Sequence, residues 1–268
     1  MRVHLDRIVV YPIKSLDGVV VEEAGITSGG ILENDRIYSI ADAQGKYVNG
    51  KRFARVHRLR SRFDATFSEV VFSEQDSSIE AQFVLAETEP INRWLGEFFG
   101  FAVTLKREPV SGFPDDREAF GPTVVSQSSM LTVANWYPGL SLESVRRRFR
   151  SNLELDGVGM PPFWEDQLFN GPGELKPFHI GAVQFLGHNP CQRCAVPTRD
   201  PQTGEVLTGF QKEFMERRRQ ALPSWANSTR FNHFYRFAVN TSIPPTEFGK
   251  RLRRGDEVQI PVRAETAS

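Results

Sequence analysis

The chain has 268 residues, and its 33 Lys and Arg balance 33 Asp and Glu, so the formal net charge at pH 7 is zero. A neutral chain has no overall basic field, which argues against nucleic acid as a partner. The sequence has neither an apolar run of membrane-spanning length nor a signal-peptide pattern at its start, so we expect no membrane partner. With 40% hydrophobic residues and two Cys, it fits a globular protein of the reducing cytoplasm.

The first part of the chain is predicted to be rich in β-strands. The strand-like segments are residues 3–10, 37–40, 47–48, 70–72 and 81–85. Residues 42–45 are turn formers between the second and third of these segments, a pattern typical of a hairpin. We therefore expect a β-rich N-terminal half.

One helix is clearly predicted after these strands. Its apolar residues recur at i, i+3, i+4, i+7 and i+8, which places them on one helix face. These residues are Ile91, Trp94, Leu95, Phe98 and Phe99. Thr88 is the expected N-cap, Pro90 lies near the start, and Gly100 follows the end. A stripe of this spacing predicts core packing rather than a cofactor site.

Two more helices are predicted, at about residues 142–149 and 210–219. The first ends in a basic run at residues 146–150, which is usually a solvated face; nucleic-acid binding is the sharper alternative. Residues 109–122 are rich in Gly, Pro and Asp, so this stretch is the expected linker between the two halves.

The two cysteines, Cys191 and Cys194, form one Cys-x-x-Cys pair after a strand predicted at residues 178–187. The residues expected on the buried faces of this strand are Ile180, Ala182 and Phe185. Any chemistry that needs a thiol must occur at this pair, because the chain has no other cysteine.

Residue spacing alone leaves three interpretations of the pair. A redox dithiol is disfavoured because Pro197 and Pro201 bracket a turn where a helix should begin. A structural zinc site lacks a second cysteine pair, and His179 and His188 are poorly spaced for ligands. The third interpretation, two buried core cysteines, is favoured by residue statistics.

Five further segments change that weighting, because they resemble the motifs of one known family. They are residues 8–18 with Tyr-Pro-Ile-Lys-Ser, 35–40 with Asp-Arg-Ile-Tyr, 130–135, 149–152 with Phe-Arg-Ser-Asn, and 254–258. Together with the cysteine turn, they resemble the MOSC-domain proteins that bind molybdenum cofactor. This family includes the mitochondrial amidoxime-reducing component and its bacterial homologues, and the resemblance covers essentially the whole chain.

The resemblance implies that Cys194 ligates molybdenum and is the catalytic residue, whereas Cys191 is not a ligand. A thiolate suits a soft metal site better than a carboxylate does. The phosphate of molybdopterin calls for fixed cations, and arginine offers it a planar fork. The residues assigned to cofactor binding are Lys14, Ser15, Arg36, Thr132, Arg150, Asn152, Arg193 and Cys194.

Two of these assignments carry a specific expectation. Arg193 is expected to favour the Cys194 thiolate through its charge. Lys14 follows an apolar strand, and without the resemblance it would be predicted to be an ordinary solvated lysine.

The implied fold is mainly β with some α: a smaller β-rich N-terminal domain over residues 1–108, the linker at 109–122, and a MOSC β-barrel over residues 123–268. The implied function is a molybdenum-cofactor-dependent oxidoreductase that reduces N-hydroxylated small molecules. A separate electron-donor protein is expected, because two cysteines cannot build a four-thiolate iron–sulfur cluster. Two alternatives stay open: a cofactor carrier or sulfur-transfer module, and a structural thiol or zinc protein.

Overall fold

The computed structural model describes residues 2–261, in which strands predominate. The strands of the first half are β1 (His4–Val10), β2 (Val19–Val21), β3 (Glu23–Gly25), β4 (Tyr38–Asp42), β5 (Leu59–Phe63), β6 (Glu69–Glu74), β7 (Glu80–Val84) and β8 (Val103–Arg107). Those of the second half are β9 (Val124–Ser126), β10 (Leu153–Asp156), β11 (Lys176–Ile180), β12 (Val183–Gln192), β13 (Arg236–Ser242), β14 (Arg251–Arg253) and β15 (Val258–Gln259). The α-helices are α1 (Thr88–Phe99), α2 (Gln127–Asn135), α3 (Leu142–Phe149) and α4 (Phe210–Gln220).

The prediction of a mainly β protein with some α-helix is confirmed. None of the helices within the described residues is long and apolar enough to cross a membrane.

An eight-stranded sheet in the order β15-β11-β12-β13-β9-β10-β1-β2 forms the centre of the second half. Its neighbouring strands pair antiparallel except β9 and β10, which pair parallel. β1 also reaches the opposite end of the sheet: His4 bridges Glu257, and the Val258 N–H donates to the Val3 carbonyl at 2.8 Å. The sheet therefore closes into a barrel, and β2 flanks it.

The first strands belong to this barrel, although they lie within the N-terminal domain predicted for residues 1–108. β1 pairs with β10, and its Leu5 and Ile8 are fully buried in the barrel core. β3 pairs with β14 in a separate two-stranded sheet, which packs Ala24 and Leu252 against the same core. Val10 still packs in the barrel, whereas Ile13 packs in a separate N-terminal core. The chain just after β1 thus crosses from one core to the other, and that crossing positions the site described below.

β4 to β8 and α1 enclose the N-terminal core. β5, β6 and β7 form an antiparallel meander, and β4 pairs with β8. The predicted hairpin at residues 37–48 is present as a short contact, in which Ala41 bridges Tyr47 and the Val48 N–H donates to the Ile40 carbonyl. The main partner of β4 is distant in sequence, so local turn signals do not reveal it.

α1 confirms the predicted helix and its apolar face. The buried residues of that face are Ile91, Leu95, Phe98 and Phe99. Gly100 ends the helix in the left-handed conformation, with φ of 79°. The predicted cap is wrong, because Glu87 is the N-cap, makes no side-chain capping bond, and Thr88 is already helical.

The segment predicted as one strand at residues 178–187 is instead a hairpin. β11 ends at Ile180, and Gly181 turns the chain with φ of 55°, a conformation that glycine adopts at little cost. Ile180 and Phe185 are buried as predicted, but Ala182 lies in the turn and is exposed. β12 then runs directly into the cysteine pair.

A third core, rich in aromatic rings, packs α2, α3 and α4 together. Its fully or nearly fully buried rings include Phe149, Phe163, Phe210, Phe214, Tyr235 and Phe237. α3 and α4 confirm the two predicted helices. α2 was not predicted as a helix; Ser126 caps it by accepting from the Ser129 N–H.

A buried carboxyl group, Glu165, lies beside the start of α2. It accepts hydrogen bonds from the hydroxyls of Ser126 at 2.6 Å and Ser129 at 2.8 Å. Burial, together with the neighbouring charge of Asp166, raises the pKa of Glu165 from 4.5 to about 7. Asp166 itself pairs with the buried Arg218 at 2.5 Å. Glu165 therefore ionises only near neutral pH, and ionisation costs stability.

We expect Glu165→Gln to stabilise the fold in alkaline solution and to change little in acid. The pKa of Glu165 is higher in the folded state than in the unfolded state. Its contribution to the free energy of unfolding is therefore complete below about pH 4.5 and is lost as the pH rises through about 7. The gain at about pH 8.5 is on the order of 3 kcal/mol. Urea unfolding at about pH 4.5 and pH 8.5 measures it. If wild type and Glu165→Gln had equal free energies of unfolding at about pH 8.5, the hydrogen bonds from Ser126 and Ser129 would already compensate the charge of Glu165.

Candidate functional site

A cavity of about 1300 Å³ is lined by residues from the barrel and from the N-terminal core. The predicted site residues in its wall are Lys14, Ser15, Arg36, Arg150, Arg193 and Cys194. Among the described residues, fourteen Lys and Arg line it against six Asp and Glu, although the whole chain is neutral. The cavity thus concentrates positive charge and suits an anionic ligand.

β12 delivers the cysteine pair to this cavity. Cys191 is half-buried, Cys194 is exposed, and both line the wall. The Val196 N–H donates to the Cys194 Sγ atom at 3.5 Å. The interpretation that both cysteines are buried core residues is therefore wrong for Cys194, whose sulfur faces a cavity.

The other two interpretations of the pair gain no support from the geometry. A structural zinc site needs four ligands, and within residues 2–261 no three His, Cys, Asp or Glu side chains are grouped to hold a metal ion. A redox dithiol uses a first cysteine at a helix N-terminus, whereas Cys191 lies in β12. The short 3-10 helix Val196–Thr198 begins only after Cys194.

Arg148 on α3 braces the turn that follows Cys194, a role that the sequence did not reveal. Its guanidinium donates to the carbonyls of Pro197 at 3.0 Å and Arg199 at 2.5 Å. It also lies 3.5 Å from the Asp200 carboxylate, and the residue is only 4% exposed. A buried guanidinium that binds two carbonyls holds the turn, and with it Cys194, in one place.

The remaining arginines of the basic run have different environments. Arg146 forms a bidentate pair with the buried Glu154, in which Nε donates to Oε1 at 3.1 Å and Nη2 donates to Oε2 at 2.8 Å. Arg147 is exposed at the cavity wall, and Arg150 lines the cavity as a partly buried residue. The interpretation of the run as one solvated helix face is therefore wrong for Arg148 and Arg150.

Two arginines stack on the buried ring of Tyr11. The guanidinium carbon lies 5.3 Å from the ring centroid for Arg36 and 4.1 Å for Arg150. Burial raises the pKa of the Tyr11 hydroxyl to about 12, so the ring is a neutral platform for two cations. Lys14 lines the same cavity, and we call Lys14, Arg36 and Arg150 the cation clamp.

One donor atom of the clamp makes no hydrogen bond within the described residues. The Nη2 atom of Arg150 is buried and has no hydrogen-bond partner among the described residues. Buried donors are nearly always paired, and an exception in a cavity wall is expected where a ligand oxygen binds. The clamp therefore fits a phosphate or another oxyanion.

Three of the predicted site residues have an unusual backbone conformation. The φ angles are 76° for Ser15, 52° for Arg36 and 53° for Arg150. Side chains other than glycine seldom adopt such angles, and each costs about 1–3 kcal/mol unless the surroundings enforce it. Strain of this kind clusters at binding and catalytic sites, which agrees with the position of these residues in the cavity wall.

Asn152 lies behind the clamp rather than in the cavity wall. Its Oδ1 atom accepts from Arg36 at 3.3 Å, and its Nδ2 atom donates to Asp35 and to the Val9 carbonyl, both at 3.0 Å. Asp35 also accepts from Arg36 at 2.5 Å and from the Tyr11 N–H at 2.9 Å. This buried network fixes the direction of the Arg36 guanidinium, so the structure makes Asn152 a positioning residue.

Thr132 also lies outside the cavity lining that the described residues form. Its hydroxyl donates to the Ser128 carbonyl, one turn earlier in α2, at 2.8 Å. A motif gives residue type and order, but the direction of a side chain depends on the helix that carries it. We do not include Thr132 in the site.

The predicted linker, residues 109–122, forms part of the cavity wall and holds Lys14. The Lys14 Nζ atom donates to the carbonyls of Phe113 at 2.8 Å and Pro114 at 3.2 Å, and it lies 2.6 Å from the Asp115 carboxylate. Burial lowers the pKa of Lys14, and Asp115 partly offsets this effect. Lys14 is thus a buried cation, and the Asp115 carboxylate of the same chain already contacts it.

Arg193 contacts the other cysteine than the one predicted. Its Nη1 atom donates to the Cys191 Sγ atom at 3.2 Å, and its Nη2 atom donates to the Phe149 carbonyl. The predicted direct effect on the Cys194 thiolate is therefore replaced by a contact that ties Cys191 to the end of α3.

Two family models match the chain. Residues 2–94 match the MOSC N-terminal beta barrel domain, and residues 117–259 match the MOSC domain. Among curated proteins, the chain is 24% identical to a molybdenum cofactor sulfurase of Drosophila grimshawi and 22% identical to one of Oryza sativa subsp. japonica. Each match covers 76% of this chain but only 29% of the relative's length.

Proposed function

This chain belongs to the MOSC family, and from that premise we propose that it binds a molybdenum cofactor and reduces N-hydroxylated small molecules such as amidoximes and hydroxylamines. The observation that carries the proposal is one cavity whose wall holds both an accessible thiol, Cys194, and the cation clamp. A soft ligand and a phosphate site within one cavity are what molybdopterin requires.

Cys194 is the residue that would hold the metal. Its thiol is exposed in the cavity, and Arg148 fixes the turn that carries it. A thiolate is the soft ligand that such a metal prefers, and neighbouring residues that are themselves held in place orient it. When bound, the molybdenum cofactor supplies two-electron chemistry at an oxygen atom of the substrate.

The cation clamp would hold the cofactor phosphate. Arg150 offers a buried donor that has no partner among the described residues, and Arg36 is held in place by Asp35 and Asn152. Because these donors are already oriented, an anion gains charge-assisted hydrogen bonds at little cost in side-chain entropy. Each such bond contributes roughly 1.5 to 3 kcal/mol.

The proposed reaction consumes two electrons and two protons. The N–O bond of an amidoxime breaks, the nitrogen gains a hydrogen as the amidine forms, and the oxygen leaves as water. The electrons come from a separate carrier protein, because the two cysteines of the chain cannot form a four-thiolate iron–sulfur cluster.

A role in cofactor modification, as a carrier or sulfur-transfer module, is the second candidate. The names of the two curated relatives, molybdenum cofactor sulfurases, favour it. In that role the cavity would hold the cofactor until it passes to an acceptor, and exposure of Cys194 suits transfer of sulfur as well as metal binding.

Turnover with an artificial donor distinguishes the two functions. Protein from a host that makes molybdenum cofactor is mixed with dithionite-reduced viologen and benzamidoxime, and benzamidine is measured. The reductase proposal predicts saturable benzamidine formation, which protein from a cofactor-deficient host does not give. Molybdenum-loaded protein that forms no benzamidine but passes its pterin to an apo-enzyme would favour the carrier.

Asp115→Asn should strengthen anion binding by the cofactor-free protein. The substitution removes the carboxylate that contacts Lys14 at 2.6 Å and leaves that cation free for a ligand. The gain is at most about fivefold, because ion pairs with an exposed partner are worth about 1 kcal/mol or less. Calorimetric titration with pyrophosphate at low salt measures the dissociation constant.

Asp116→Asn is the matched control, since Asp116 lines the same cavity without an ion pair to Lys14 within the described chain. Weaker pyrophosphate binding by the Asp115 variant would mean that the carboxylate orients Lys14 for the anion rather than competing with it.

A further inference from the structure

Two arginines outside the clamp line the same cavity beside the cysteine pair. Arg236 donates to the Pro190 carbonyl at 2.9 Å, and Arg230 donates to the His188 carbonyl at 2.6 Å. Both carbonyls belong to the part of β12 that leads into Cys191. The two guanidiniums therefore lie along the strand that delivers the cysteines to the cavity.

These two cations have no carboxylate to balance them. Among residues 2–261, neither Arg230 nor Arg236 forms an ion pair with Asp or Glu. Burial lowers the pKa of both groups; for Arg236 the nearby Cys191 sulfur partly offsets this effect, and the positive charge of Arg230 adds to it. Arginine remains protonated nonetheless. Two neighbouring like charges at a half-buried site are stabilised when an anion binds to both.

Arg236 retains an unused donor. Its Nη atoms are taken by the Pro190 carbonyl and, at 2.8 Å, by the Asn232 side chain, but its buried Nε atom has no hydrogen-bond partner among the described residues. The amides of Asn189 and Asn240, which contact each other at 3.2 Å, also line this part of the wall. The surroundings are thus polar and cationic.

We propose that Arg230 and Arg236 form an anion subsite for the substrate, so that this cavity prefers N-hydroxylated compounds that also carry an anionic group such as a carboxylate. The clamp is assigned to the cofactor phosphate, which leaves this pair for the substrate. Guanidinium groups match the geometry of carboxylates. The inference rests on the proposed reductase function for its reaction, whereas its anion binding is measurable without turnover.

The kinetic test compares benzamidoxime with its para-carboxylate, two substrates that differ in one anionic group. The molybdenum-loaded protein should show a KM at least about tenfold lower for the carboxylate, the value expected for one charge-assisted hydrogen bond. Arg236→Gln should reduce that ratio of KM values to near one. Arg217→Gln, which removes an exposed arginine of α4 that pairs with Glu213, should preserve the ratio.

The binding test uses protein purified from a host that makes molybdenum cofactor, without an electron donor, so that the cofactor phosphate occupies the clamp and no reaction takes place. Calorimetry should show that wild type binds the para-carboxylate more tightly than benzamidoxime, that Arg230→Gln and Arg236→Gln each remove most of this preference, and that added salt weakens it. Thermal unfolding of both variants verifies that they are folded.

Equal affinity of the wild type for the two compounds, or a preference that both variants retain, would overturn the subsite even if the protein is a reductase. Selective binding that depends on Arg236, in a protein that reduces neither compound, would retain the subsite and reject the reductase.

Discussion

Cys194→Ala should abolish molybdenum binding and reduce turnover to below about one hundredth of the wild-type rate. Removing a residue that only supports a metal ligand already lowers activity by up to about a hundredfold, and removing the ligand itself should cost more. Cys194 is the exposed thiol of the cavity and is fixed by the turn that Arg148 binds. Metal analysis gives the molybdenum content per chain, and benzamidine formation with an artificial donor gives the rate.

Cys191→Ala is the matched control for this prediction. Cys191 is half-buried, and its sulfur accepts a hydrogen bond from Arg193. Because we assign the metal to Cys194 and not to Cys191, Cys191→Ala should leave most of the metal and much of the activity. Equal loss in both variants would show that the pair acts as a unit, and loss only in the Cys191 variant would reverse the assignment of the ligand.

Arg150→Gln should weaken cofactor binding about tenfold or more and so lower cofactor occupancy, because it removes both a cation and the buried donor of the clamp. Its guanidinium lies 4.1 Å from the Tyr11 ring centroid, and the Nη2 atom has no partner within the described residues. Arg150→Lys should have an intermediate effect, because lysine keeps the charge but loses the planar stacking. Pterin and molybdenum content of the purified variants are the readouts.

The control for the clamp is Arg147→Gln, at the end of the same helix. Arg147 is exposed and pairs with Glu143 at 3.3 Å, so its removal should leave occupancy unchanged. Full occupancy in the Arg150 variant would place the cofactor phosphate elsewhere in the cavity.

Much of the candidate site could be predicted from the sequence through the resemblance to the MOSC family, whereas residue statistics alone favoured two buried cysteines and a solvated Lys14. A soft metal requires a thiol and a phosphate requires cations, and the matched motifs contained Lys14, Arg36, Arg150 and Cys194. The structure brings these residues, which are far apart in the chain, to one cavity wall. Local periodicity was also sufficient for α1, α3 and α4.

What the sequence could not predict depends on distant contacts. Asn152 and Thr132 have polar side chains that fit a cofactor, but one supports Arg36 and the other bonds to its own helix. The contact of Lys14 with Asp115 connects the segment after β1 to the predicted linker, and no local pattern encodes it. Pairing of β1 with β10 likewise joins segments between which lie the rest of the N-terminal half, the predicted linker, α2 and α3.

The molybdenum and pterin content of protein purified from a host that makes molybdenum cofactor tests the central claim most directly. The arrangement of Cys194 and the cation clamp predicts about one molybdenum and about one pterin dithiolene per chain, with the molybdenum lost in Cys194→Ala. Stoichiometric zinc without molybdenum, or protein that contains neither molybdenum nor pterin from a host shown to load another molybdenum enzyme, would contradict it.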